Sequence, residues 1–234
     1  MYALRRPACT KILVNREYYE PETHRLIALI FENLSGSMLH AGTFFGDIIP
    51  AFSRAVPGVL WCFEPVIENY ILANKCIEEN NLENVFLLNV ALSNKVGMVK
   101  VNTSVSNKKN KGGVSPQEIG TVATYQGHRG GGAYVDGIGQ PTPSITIDNF
   151  QYDSLIVIQL DVEGHELMVL KGATDTISKH LPIIMVEDNN KECSKFLENR
   201  GYSFFASIPG LKIWVNNQNT MIASVMEKLK KNMA

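Results

Sequence analysis

The chain has 234 residues, 45% hydrophobic and 19% charged, a composition that suits a single globular domain with one core. Its formal net charge of -1, from 22 basic and 23 acidic residues, gives no overall field to attract nucleic acid or an anionic membrane. No run approaches the roughly 20 apolar residues of a membrane helix, and MYALRRPACTK has no apolar stretch of signal-peptide length.

The first 20 or so residues show no clear period and read as an arm. Residues 21–34 read as a helix, with Pro21 in its first turn and Leu26, Ile27, Ile30 and Leu34 on one face. Strands and helices then alternate: strand 38–41, turn 42–46, helix 47–55, strand 59–63, helix 66–80, strand 85–90. Repeated strand–helix–strand units predict a parallel sheet covered by helices on both faces. The pattern breaks at Asn102. Residues 103–141 are rich in Gly, Ser, Asn and Lys and are predicted to form a long substrate-side loop, with passive disorder the alternative. Lys108, Lys109 and Lys111 within it read as a solvated charge run.

Order is expected to return at 144–148, where Asp148 reads as a cap. Residues 155–160 form a continuous apolar strand, then come helix 166–179, strand 182–186 and helix 191–199. Residues 201–206 and 211–215 look like an antiparallel pair about Pro209-Gly210, and a Lys-rich helix begins at Thr220. The organisation read from this pattern is an arm and helix over 1–36, a main domain over 37–218 and a C-terminal helix over 219–234. Cys9, Cys62, Cys76 and Cys193 have no CxxC spacing, which suggests reduced thiols in a cytoplasmic protein and no zinc site.

Three strand ends point to a nucleoside ligand. After the first strand comes His40-Ala41-Gly42-Thr43-Phe44-Phe45-Gly46-Asp47, whose two glycines permit a tight turn close to a ligand. An ordinary strand–helix turn reads the same way. Glu64-Pro65 ends the second strand, where a carboxylate can accept both ribose hydroxyls. Its alternative is a helix-start carboxylate favoured by the dipole. At the third strand, Asn89 and Ala91 can border an adenine ring. The turn lacks GxGxxG and the chain lacks a P-loop GK[ST], so adenosine without a pyrophosphate fits better than a dinucleotide or nucleoside triphosphate.

The buried fourth strand ends in Asp161-Val162-Glu163-Gly164-His165-Glu166. Asp161, Glu163 and His165 are the candidate catalytic residues, lining an acceptor site with His165 as base, and Asp161 is also a candidate cofactor contact. An exposed helix residue is the other reading of His165, and Glu166 reads as a helix-start carboxylate. Glu187 and Asp188 face the same crevice; with Asp161 they offer oxygens to a magnesium ion, but carboxylates alone do not define a metal site, and none is expected.

These residues carry a resemblance. CFEPVIENY (62–70), NVALSNKVG (89–97), SITIDNF (144–150) and IQLDVEGHELMVLKGA (158–173) resemble the FkbM family of S-adenosylmethionine-dependent O-methyltransferases. The resemblance implies an α/β, Rossmann-like class I methyltransferase fold, seven strands with the last antiparallel. It also implies S-adenosylmethionine over the first two strands and a hydroxyl acceptor, a sugar or glycan. Tyr125, His128, Arg129 and Tyr134 in the long loop would suit a polyol. One position departs: families with this fold usually carry Asp or Glu where this chain has His40, and Asp47 is a nearby substitute. The competing expectations are a methyltransferase acting on RNA or protein and a non-catalytic Rossmann-like binding module.

Overall fold

A computed structural model describes residues 18–102, 134–135, 139–187 and 191–233. Helix α1 (Pro21–Phe31) precedes β1 (Ser37–Ala41), α2 (Ile49–Ala55), β2 (Leu60–Phe63), α3 (Ile67–Glu79) and β3 (Val85–Leu88). After β4 (Ala91–Leu92), β5 (Gly97–Asn102), β6 (Tyr134–Val135) and β7 (Gln140–Ile145), the wound pattern resumes with β8 (Leu155–Leu160). It continues through α4 (Glu166–Lys171), α5 (Thr174–His180), β9 (Ile183–Val186), α6 (Glu192–Glu198), β10 (Tyr202–Ile208), β11 (Leu211–Asn216) and α7 (Thr220–Met233).

The seven-stranded sheet has the order β10-β11-β9-β8-β1-β2-β3. Pairings from β9 through β8, β1 and β2 to β3 are parallel, and β11 runs antiparallel to both neighbours. This is the α/β sheet that the resemblance implies. Side chains alternate across it as the pleat requires. Met38, Leu60, Val157 and Met185 pack with Ile27 of α1, Phe52 of α2 and Met226 of α7. Leu39, Phe63, Ile158 and Ile184 pack on the other face with Leu170 of α4, Ile177 of α5 and Leu197 of α6. The strand order reverses between β1 and β8, which places a crevice at their carboxyl ends.

Two elements differ from the sequence expectation. The predicted helix 166–179 is two helices with a break at Gly172. A methyl at Gly172 would overlap the Ser93 carbonyl, so this close approach requires glycine. The second helix is capped from a distance: Asp148 accepts hydrogen bonds from the N–H of Thr176 (2.8 Å) and Asp175 (3.2 Å). The second difference is a four-stranded sheet, β4-β7-β5-β6, in which β4 and β5 were not anticipated and β6 and the start of β7 fall inside the predicted loop 103–141. Lys108, Lys109, Lys111, Tyr125, His128 and Arg129, the side chain of Tyr134, and Asp188 and Cys9 lie outside the described residues.

Candidate active site

The turn after β1 is folded tightly against its neighbours. Asp161 N–H donates to the Ala41 carbonyl at 3.1 Å, and Gly42 follows with φ +86°. A methyl at Gly42 would overlap the Asp161 carbonyl, so glycine is required by both contact and conformation. Thr43 is buried, and its hydroxyl oxygen accepts from the Phe63 N–H at 3.1 Å. Phe44 (φ +55°) and Gly46 (φ +86°) complete the turn, and Gly46 presses on Ala73 of α3. Asp47 sits in this turn, because α2 begins only at Ile49.

Glu64 is 3% exposed. Its carboxylate accepts from the N–H groups of Phe44 (2.7 Å) and Val66 (2.9 Å) and from Asn69 Nδ2 (3.3 Å). The Asn89 amide donates to the Glu64 carbonyl at 2.8 Å, and Ala91 is buried beside it in β4. Pro65 is half-buried between Glu64 and the α3 start. Glu64 thus joins the turns after β1 and β2, a structural duty added to any ligand contact.

Asp161, Glu163 and Glu187 converge at the ends of β8 and β9. One carboxylate oxygen from each lies within 4.8 Å of the other two, close enough to face one cation. Burial, then the Glu187 carboxylate, push the Asp161 carboxyl well above the usual carboxylate range. The same causes, in the same order, push Glu163 up to about 8. A half-buried like-charge cluster retains protons that solvated carboxylates would release. Tyr19 and Glu20, just before α1, border this cluster: the Tyr19 hydroxyl is raised by burial and by the charges of Glu20, Asp161, Asp47 and Glu187. Sequence reasoning missed these two, since residues before α1 carry no period or motif.

His165 is held elsewhere. Its Nε2 lies 3.0 Å from the Ser93 hydroxyl, and burial lowers its imidazole to about 4. The structure therefore brings Asp161 and Glu163 together with Glu187, while the His165 ring anchors to the strand end after β4. Glu166 is buried at the start of α4 and turns back on the loop, accepting from Val162 N–H and Gly164 N–H.

His40 is also buried, its ring edge-on to Phe52 at 5.5 Å. Neither ring nitrogen has a hydrogen-bond partner among the described residues, and burial, then His24, lower it to about 4. The one position that departs from the resemblance therefore holds a neutral imidazole.

The family described as the Methyltransferase FkbM domain matches residues 40–204. Among solved structures, a methyltransferase FkbM from Methylobacillus flagellatus KT is 15% identical with a TM-score of 0.52, covering 92% of this chain and 54% of that one. This chain thus spans about half the length of that relative. A methyltransferase from Geobacter sulfurreducens is 14% identical (TM-score 0.48; 88% of this chain, 85% of that one). A SAM dependent methyltransferase from Aquifex aeolicus is 13% identical (TM-score 0.42; 88% and 90%). Similarity at these identities concerns the fold. No curated protein matches the chain.

Proposed function

The chain belongs to the FkbM methyltransferase domain family, and on that premise we propose that it transfers a methyl group from S-adenosylmethionine to a hydroxyl of a sugar or glycan. The observation that carries this reading is the convergence of the Gly42–Asp47 turn with Asp161, Glu163 and Glu187 at one edge of the sheet. Its donor set fits the cofactor. Half-buried carboxylates favour a ligand end carrying positive charge, and S-adenosylmethionine carries a sulfonium and an ammonium.

When bound, S-adenosylmethionine supplies an electrophilic methyl group for in-line displacement. The protein must orient the acceptor hydroxyl and take its proton. Orientation is worth on the order of 7–11 kcal/mol and a base about 10²–10⁴-fold, so placement is the larger contribution. Asp161 would face both the charged end of the cofactor and the acceptor, and Glu163 the acceptor. A base works best with a pKa near the working pH, and Glu163 at about 8 is nearer than His165 at about 4. His165 stays neutral and supports the turn. Glu64 and Asn89 would border the adenosine, while Ala41, Gly42, Thr43, Phe44 and Gly46 would shape the methionine side with His40 and Asp47.

The thiols of Cys62 and Cys76 form no disulfide, which suits a reducing, cytoplasmic setting. No helix among the described residues is long and apolar enough to cross a membrane. The net charge of -1 weighs against an RNA acceptor.

Calorimetric titration with S-adenosylmethionine tests the cofactor, and labelled-methyl transfer to a glycan panel tests the acceptor. Saturable binding with transfer to a sugar hydroxyl is expected. No binding at millimolar cofactor would favour a non-catalytic module, and transfer only to RNA or protein would replace the glycan assignment.

A further inference from the structure

The turn between β8 and α4 is built in an uncommon way. Glu163 has φ +54° and Gly164 has φ +93°. The left-handed region is ordinary for glycine but strained for an L-residue such as Glu. Such a conformation persists only where its surroundings over-determine it. Two determinants are present. The backbone N–H groups of Val162 and Gly164 flank Glu163, and both donate to a single oxygen, Oε1 of Glu166, at 3.1 Å each. Glu166 is 4% exposed, so water is a poor substitute acceptor there. On the far side of the turn, His165 Nε2 meets the Ser93 hydroxyl at 3.0 Å.

We infer that Glu166 is a positioning residue: its carboxylate clamps the N–H groups on either side of Glu163 and fixes the left-handed turn that places the Glu163 carboxyl beside Asp161 and Glu187. The clamp deepens the proposed active site, and its consequence for methyl transfer rests on that reading. The clamp itself does not. A helix-start carboxylate acting only through the dipole would favour α4 but would not need both N–H groups on one oxygen. Burial pushes Glu166 up to about 7 even against the pull of its own backbone donors, which fits an oxygen enclosed by the turn rather than one facing water.

The test uses the full chain without cofactor. In Glu166→Ala, the amide protons of Val162 and Gly164 are expected to exchange at least about tenfold faster. The carbon shifts of Glu163 should leave their left-handed values. Glu166→Gln keeps an acceptor oxygen and should retain both signatures. A melting cycle covers the case in which Glu166→Ala is too unstable for resonance work. Glycine at 163 does not need the clamp, so the loss of Tm caused by Glu166→Ala should shrink in the Glu163→Gly background. Unchanged exchange and shifts in Glu166→Ala, equal losses in Glu166→Gln, or an additive melting cycle would each overturn the clamp. None of these readouts involves S-adenosylmethionine. A chain that fails to bind it would sink the methyltransferase reading and leave the clamp standing.

Discussion

Glu64 at the end of β2 accepts a 2.7 Å hydrogen bond from the Phe44 N–H in the turn after β1. This one contact joins two strand ends that are 20 residues apart in sequence. It also gives Phe44 a partner that helps hold its left-handed φ of +55°. The residue proposed to contact the cofactor is therefore also part of the scaffold that shapes the site.

Glu64→Ala should act on both properties. It leaves the Phe44 and Val66 N–H groups and the Asn69 amide without this acceptor. Hydrogen bonds to a charged group are worth about 1.5–3 kcal/mol each, so a stability loss of roughly 2–4 kcal/mol is expected in denaturant melts. Calorimetry on the folded fraction should show S-adenosylmethionine binding weakened by at least about tenfold, or roughly 1.4 kcal/mol. Undiminished affinity would remove Glu64 from the cofactor contacts.

Gly42→Ala should be far more damaging than a surface Gly→Ala change. The new methyl would overlap the Asp161 carbonyl, at a backbone φ of +86°. The β1 and β8 ends would have to separate, at a cost of about 3 kcal/mol or more. Gly210→Ala is the control, with a similar φ of +82° and open space around it. A Tm loss no larger at Gly42 than at Gly210 would count against the close approach.

The pH dependence of stability should report Glu163. Its carboxyl is raised from 4.5 to about 8 by burial and by its acidic neighbours. The native chain keeps a proton there that the unfolded chain has released. Its stabilising contribution is thus present below pH 4.5 and is lost as pH rises through about 8. Glu163→Gln has no such proton to lose. Its Tm should exceed that of the wild type above pH 8, with the gap closing below pH 4.5. Parallel pH profiles for the two proteins would contradict this.

His40 has the opposite sign. Its imidazole is lowered from 6.5 to about 4, so its contribution is present above pH 6.5 and is lost as pH falls towards 4. Both ring nitrogens are buried without a partner among the described residues, and a desolvated polar group of this kind costs about 1–3 kcal/mol. His40→Leu should therefore match or exceed wild-type stability at neutral pH and show a smaller loss towards pH 4 in urea melts. A strongly destabilised His40→Leu would reveal a bond to the imidazole that matters.

Asp161→Asn should lower turnover more than cofactor affinity, because its proposed role lies mainly with the acceptor. Its neighbours Glu163 and Glu187 are close enough to share a cation, yet transfer is expected to continue in EDTA. Activity that vanishes with the chelator and returns with magnesium would convert the cluster into a metal site.

The sequence by itself determined the fold class, because the apolar run 155–158 and the alternating elements before it have few other solutions than a wound parallel sheet. It also pointed to three strand ends as candidates for chemistry, since Gly42, Glu64 and Asp161 sit directly after strands. Periodicity could not reach partners set by long-range contact. That Gly172 breaks a helix depends on the Ser93 carbonyl, far away in the chain. The burial of His40, the second sheet, and the approach of Tyr19 and Glu20 to the acidic cluster were also decided by packing. Tertiary structure likewise separated the residues of DVEGHE. Adjacent positions point to different neighbours once Glu163 turns left-handed, and so Glu163 joins the acids while His165 reaches Ser93 and Glu166 folds back on the turn.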